Sequence, residues 1–460
     1  MGFRTEHDSM GNVNVSEEFY WGAQTQRSLE NFKIGRELMP QNLIKALALV
    51  KKAAAKANFE CGVLSAEKQN LILEVCDEIL ENKLNLHFPL VVWQTGSGTQ
   101  TNMNLNEVIA NRAEEILTGK TDSDKRFMTP NDDVNKSQST NDVFPTAMRI
   151  AAVSYVMAHT LPALETLQKE LALKSQEFHA IIKVGRTHLM DATPLRLGQE
   201  FSAFEAQLGY GIQALKRALV HLKELPLGGT AVGTGLNAPK DYAEKAVRHI
   251  CAWTGIDFKI CPNRFEAMAS HDAFVELSGA LKQIAVSLMK TANDIRLLGS
   301  GPRAGFNELI LPSNEPGSSI MPGKVNPTQC EALTMVCCQI IGNDTAITLG
   351  GMQGHLQLNA FMPLIARNIL HSVEILADAA KSFNENCLRE LQANTSQIEY
   401  YLEHSLMSVT ALNPHIGYHQ AAQIAQHAHR NNITLKQAAL ELNLVCEEDF
   451  DRWVNPALMV

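Results

Sequence analysis

At 460 residues, with 45% apolar and 19% charged side chains, the chain has ordinary globular composition and exceeds the usual size of one core, which sets aside disordered and filamentous classes. Its formal net charge of −9 comes without any run of basic residues, so a phosphate backbone has nothing to grip and no nucleic acid is expected. The most apolar run, 332–341, is broken by Gln339 and is far shorter than the roughly 20 residues of a bilayer span, so no membrane is expected either.

Residues 1–10 are polar and mixed in charge, lack the apolar segment of a signal peptide, and carry Glu6 where a myristoylation motif wants Ser or Thr. The nine cysteines include no C-x-x-C. Cys337 and Cys338 are adjacent in an apolar helical pattern, which suits buried thiols, and a cytoplasmic location is expected.

From residue 41 onward most of the sequence reads as long helices joined by short loops, so the fold class is all-α with few strands. An outer N-terminal unit is placed at 1–136, a long-helix bundle at 137–393 and a small C-terminal helical unit at 394–460. The first polar loop, 94–106 (QTGSGTQTNMNLN), runs straight into a helical pattern. So does the second, 131–145 (NDDVNKSQSTNDVFP). A helix start presents unpaired N–H groups and a partial positive charge, and Ser, Thr and Asn add neutral donors, so each loop is a potential carboxylate cradle. Taken singly, such residues are more simply read as helix caps; their recurrence in three loops favours the cradle.

His188 lies in GRTHLMDATP, read as a polar loop leading into a long helix over 197–225. An imidazole there can carry protons at neutral pH, or can be a structurally hydrogen-bonded histidine. No second histidine stands at metal-ligand spacing, so no metal is expected. The glycines of 228–235 (GGTAVGTG) follow no strand and read as a turn between helices. The clearest helix is 272–298, where Phe274, Leu277, Leu281, Ile284, Leu288, Ile295 and Leu298 step by three and four, with only Thr291 interrupting. Val275, Ala285, Met289 and Ala292 add a second apolar face that a monomer would struggle to cover, so association between subunits is expected. The third loop, 317–331 (GSSIMPGKVNPTQCE), precedes a helical pattern over 328–350. Here Asn326 could cap the helix with Pro327 at its first position, or Thr328 could form a capping box with Glu331. Lys324 could neutralise a carboxylate or be a solvated surface lysine.

GSSIMPGKVNPTQCEA at 317–332 closely resembles the signature of the fumarase/aspartase superfamily, and the likeness to class II fumarase (fumarate hydratase) runs over essentially the whole chain. Gly323 in PGK, Thr328-Gln329-Cys330 after NP, Met190-Asp191-Ala192-Thr193 after the histidine, and QTGSGTQTNMN all favour fumarase over the alternative, aspartate ammonia-lyase. The resemblance implies a cofactor-free hydro-lyase of the tricarboxylic acid cycle, interconverting fumarate and (S)-malate by anti addition and elimination of water through an aci-carboxylate. It also implies a homotetramer with each active site drawn from three subunits.

By the same resemblance Ser318 takes the proton from C3 of malate, and His188, paired with Glu331, handles the water. Ser97, Gly98, Thr99, Ser139, Thr140, Asn141, Thr187, Ser319, Lys324, Val325 and Asn326 bind substrate. The need for many donors is physical: the aci-carboxylate carries extra negative charge, and each well-placed donor is worth roughly 3 to 4 kcal/mol at the transition state. A serine hydroxyl can act as a base only if loop amides and Lys324 stabilise its alkoxide. The family's secondary dicarboxylate site is matched at Arg126, Pro130, Asn131 and Asp132, but Thr129 stands where histidine is usual, which puts that site in question.

Overall fold

The structure, a computed structural model, describes residues 2–121 and 126–460. Among them are seventeen α-helices and four small two-stranded sheets, the all-α class expected from the helical periodicities. Two compact units emerge. One comprises Met1–Pro162, Gln213–Gln283 and Cys338–Ala377; the other comprises Ala163–Ile212, Ile284–Cys337 and Asp378–Val460. The helices Leu197–Leu222, Asp272–Leu298, Thr328–Gly351 and Met362–Phe383 each contribute residues to both.

The Asp272–Leu298 helix has the bounds its periodicity predicts. Every residue of its seam is buried, each large side chain contributing about 1.5–3 kcal/mol of apolar transfer. Thr291 does not break the seam, because its hydroxyl donates to the Ser287 carbonyl one turn back (3.0 Å) and leaves no unpaired donor inside. The second face differs from expectation: Ala285 and Ala292 are fully buried within the single chain, and Val275 and Met289 largely so. Uncovered apolar surface remains on that helix at Val286 (57% exposed) and is also present on Thr328–Gly351, where Met335 is 67% and Leu349 55% exposed and Cys338 is exposed while Cys337 is buried. That helix is apolar on all sides, so a single chain covers only part of it.

Thr140–Glu177 and Thr328–Gly351 are long and apolar enough (mean hydropathy 1.2 and 1.3) to cross a membrane although their uninterrupted apolar runs are short, a measure that the core helices of a folded protein also meet. Scattered polar residues break a run without much lowering its mean. The first stretch nevertheless buries Asp142 and Arg149 inside the fold, held by backbone groups rather than facing a hydrocarbon phase.

The segment around His188 is also not the loop expected. Ile182–Thr187 and Met190–Arg196 pair as an antiparallel hairpin. Its two-residue connection, His188 and Leu189, has φ of +58° and +61°, the pairing that matches the twist of tight hairpins. A glycine at 185 is required, since a Cβ there would sit 2.5 Å from the Thr193 carbonyl, at the point where the strand register shifts. Farther along, residues 409–450 hold their own apolar cluster, including Leu412, Ile424, Ala438 and Phe450.

Candidate active site

The first loop is built on glycines that nothing else can replace. A Cβ at Gly96 would lie 1.5 Å from the Ala360 carbonyl oxygen, and one at Gly98, whose φ is +74°, would lie 2.3 Å from the Phe144 ring. Gly98 caps the Thr99–Thr118 helix. The Ser97 and Thr99 hydroxyls lie 2.7 Å apart there, so two hydroxyls gather at the positive end of the helix. Gln94 ties the loop down by accepting from the Thr101 amide and hydroxyl.

The second loop meets the first. Thr140 is buried and its hydroxyl accepts from Asn102 (2.9 Å), so its side chain supports the loop and its backbone N–H, in the first helical turn, is the group placed for a ligand. Ser139 caps the Thr140–Tyr155 helix in a reciprocal capping box with Asp142, which makes the cap reading correct for this serine. Asp142 does more than cap, since its other oxygen accepts from the Gly228 and Thr230 amides (2.9 and 3.0 Å). The glycine-rich segment is thus a turn, as its composition predicts, and it is clamped to the loop, but a two-residue strand, Glu224–Leu225, paired with Lys259–Ile260, precedes it where none was expected. Asn141 donates to the Ala231 carbonyl (2.8 Å), which orients its side-chain amide.

Behind this turn, Lys51 is fully buried and donates to Asn135 and Gln138, both at 2.9 Å. Burial pulls its amine down to about 7, and burial likewise pushes the Asp142 carboxyl up to about 6 against the opposing pull of the Ser139, Thr230 and Gly228 amides. Neither Lys51 nor Asp142 was singled out from sequence. The Ser-x-x-Asp spacing at 139–142 was the signal for Asp142; a lone lysine in an Ala-rich helix carries no such signal.

The third loop is sparsely held. The Asn326 amide donates to the Gly317 carbonyl (2.5 Å) and the Gly317 amide donates to the Lys324 carbonyl (2.8 Å), closing a ring around Gly323 at φ +80°. Within it the Ser318 hydroxyl oxygen accepts from the Ile320 and Met321 amides at 3.2 and 3.1 Å. Such a turn is common for serine, but it also aims two N–H groups at any negative charge forming on that oxygen. Ser319, Lys324 and Val325 are exposed. Neither capping reading is realised among the described residues: no helix amide donates to the Asn326 side-chain oxygen, its Nδ2 being turned to the Gly317 carbonyl, and the exposed Glu331 carboxylate takes no hydrogen bond. His188 and Thr187, at the hairpin tip, are exposed too, and no bond joins His188 to Glu331 within the chain.

Arg126 is already engaged, donating to Glu6 (2.6 Å) and Asn111 (2.9 Å). Thr129 caps the short turn Pro130–Val134 by accepting from the Asp132 amide, while Asn131 and Asp132 are exposed. Among the described residues no three His, Cys, Asp or Glu side chains converge as metal ligands.

Comparison with known proteins supplies the remaining evidence. A family profile described as Lyase matches residues 11–342, and one described as Fumarase C C-terminus matches 409–460. A class II fumarate hydratase from Pasteurella multocida is 59% identical, covering 100% of this chain and 99% of that protein. A mitochondrial fumarate hydratase from Rattus norvegicus is 56% identical, covering 100% of this chain and 90% of that protein. Among solved structures, a recombinant class II fumarase from Schistosoma mansoni superposes with a TM-score of 0.97 at 44% identity, covering 100% of this chain and 99% of that one.

Proposed function

The chain belongs to the lyase family of the class II fumarate hydratases, and from that membership we propose that it hydrates fumarate reversibly to (S)-malate, as a hydro-lyase. The observation that carries the reading is full-length identity above one half to fumarate hydratases, together with loops that present the donors this chemistry needs.

Ser97, Gly98 and Thr99 at one helix start, with Ser139, Thr140 and Asn141 at the next, form a neutral and partly positive cradle for a substrate carboxylate. Lys324, Asn326, Val325, Ser319 and Thr187 supply the cation and further donors. Ser318, as an alkoxide stabilised by the Ile320 and Met321 amides and by Lys324, takes the C3 proton of malate and becomes the neutral hydroxyl. The extra charge on the carboxylate next to C3 spreads into these donors, and His188 gives a proton to the departing hydroxide. Glu331 orients that imidazole. Because each chain leaves His188 and Glu331 exposed and unjoined, the pair is completed by a second chain.

The assembly we propose is a homotetramer whose sites each draw on three subunits. The apolar, half-bare helix Thr328–Gly351, which begins where the third loop ends, supports it. The separate apolar cluster at 409–450 supports a C-terminal unit at 394–460, with 1–136 and 137–393 as the other divisions. Nine free thiols, five of them buried, support a cytoplasmic setting. The secondary dicarboxylate site at Arg126, Thr129, Pro130, Asn131 and Asp132 would bind only if the Arg126–Glu6 pair opened.

The test follows absorbance of fumarate from L-malate and, in parallel, from L-aspartate, in buffer containing EDTA. Fumarate from malate alone is expected. Fumarate from aspartate alone would move the assignment to aspartate ammonia-lyase, and fumarate from neither would refute both.

A further inference from the structure

The His188 hairpin has a charged foundation that the reaction itself does not use. Two cations rise from its first strand, Lys183 and Arg186, and both end on Glu308. The Arg186 guanidinium lies 2.9 Å from one oxygen of Glu308, and the Lys183 ammonium lies 3.1 Å from the other. Lys183 also pairs with Glu200 at 2.8 Å, in the first turn of Leu197–Leu222. These groups are deep: Lys183 is 1%, Glu308 0% and Arg186 12% exposed.

The backbone of Glu308 is paired on both sides. Its amide donates to the Leu298 carbonyl at the end of the Asp272–Leu298 helix (2.8 Å), and its carbonyl accepts from Asn394 (2.9 Å). Arg186 is further held between two rings, 4.5 Å from Phe306 and 5.6 Å from Tyr401. Behind the hairpin lies a cavity of about 400 Å³ bordered by Lys183, Arg186, Leu189, Glu200, Phe204 and Phe306. Close packing therefore does not set the position of the tip from that side. The ionic anchor does, and Arg186 is only two residues from His188.

Resting on the reading of His188 as the proton carrier, we propose that Glu308 is a positioning residue, fixing the Thr187–His188 tip through Lys183 and Arg186 so that the imidazole meets the leaving hydroxyl. The tip needs such an anchor because His188 and Leu189 both stand at positive φ, a conformation that costs non-glycine residues and that surrounding structure must hold. An imidazole displaced by about 1 Å loses roughly 100-fold in rate, while carboxylate binding by the other loops is untouched.

The experiment is steady-state kinetics of the assembled wild type, Glu308→Gln, Arg186→Lys and Glu200→Gln on L-malate, with rates normalised to folded tetramer. Wild-type turnover establishes the underlying reading first; without it, the reading and not the anchor has failed. For Glu308→Gln, kcat is expected to fall by about 100-fold with KM within about threefold. Arg186→Lys keeps the buried cation but loses the planar stacking, and it should lower kcat by about tenfold. Glu200→Gln keeps a polar acceptor beside Lys183 and leaves both cation contacts to Glu308 in place, so it should change kcat by less than about threefold. A merely structural network would lower the yield of tetramer and leave kcat per folded site unchanged, which overturns the proposal. So does a rise in KM at constant kcat. If Glu308→Gln does not assemble, Arg186→Lys decides alone, and a kcat within twofold of wild type overturns the proposal.

Discussion

The turn at Ser139–Asp142 and the loop at 317–326 carry the same kind of groups, yet the chain treats them differently. The first is held by a capping box, two further amides on Asp142, the Asn102–Thr140 bond and the buried Lys51 network. The second is closed by little more than the ring between Gly317, Lys324 and Asn326, and its neighbours Ile320 and Met321 face solvent. The first is preorganised by its own sequence. The second has the bonds to aim Ser318 but not the surroundings to exclude water, which the proposed assembly would supply.

That contrast can be broken at either end. Ser318→Ala should cost on the order of 10³-fold in kcat on malate, while thermal melts show stability within about 0.5 kcal/mol of wild type. Its hydroxyl only accepts two loop amides, so large instability would mean that the loop is structural after all. Asp142→Ala should do the reverse in kind. With the Ser139, Gly228 and Thr230 amides left without their acceptor, denaturant titration should show a loss of about 3 kcal/mol or more. A loss under about 1 kcal/mol would show that the turn is not over-determined.

Lys51 sharpens the comparison through pH. Its amine is lowered by burial to about 7 from 10.5, so between those values the unfolded chain binds more protons than the folded one. Its contribution to stability is therefore fully present above about 10.5 and is lost as pH falls toward 7. Against Lys51→Met, the wild type should gain stability as pH climbs from 7 to 10, read as a widening difference in Tm. A constant difference would place the charge elsewhere. The smallest effect concerns Cys338, bare on the Thr328–Gly351 helix of one chain. In the native assembly a thiol reagent should label Cys446, which is also exposed, well before Cys338; equal rates would argue against burial of that helix between subunits.

Legibility followed the same division. The Asp272–Leu298 helix can be bounded from sequence because its seam has a single interruption, Thr291, whose hydroxyl is satisfied within the helix. The hairpin at 182–196 cannot, because its turn uses His188 and Leu189 where Gly, Asn or Asp would announce positive φ. The incomplete coverage expected of Asp272–Leu298 belongs mainly to Thr328–Gly351. Periodicity shows how much of a helix is apolar but not which neighbour covers it. Motif residues of all three loops stand out, and the Ser-x-x-Asp spacing marks the capping role of Asp142, whereas Lys51 and Glu308 act through contacts distant in sequence that no local pattern reveals.

The central claim is that the site is finished only when chains assemble, and subunit mixing tests it most directly. Ser318→Ala and His188→Asn, each inactive alone, are combined by co-expression or by joint refolding, and turnover of L-malate is measured. If the two residues of one site come from different chains, the mixture should recover about a quarter of wild-type activity, the share of sites that random mixing leaves with both native groups. Hybrid tetramers that form and stay as inactive as their parents would show that each chain builds its site alone.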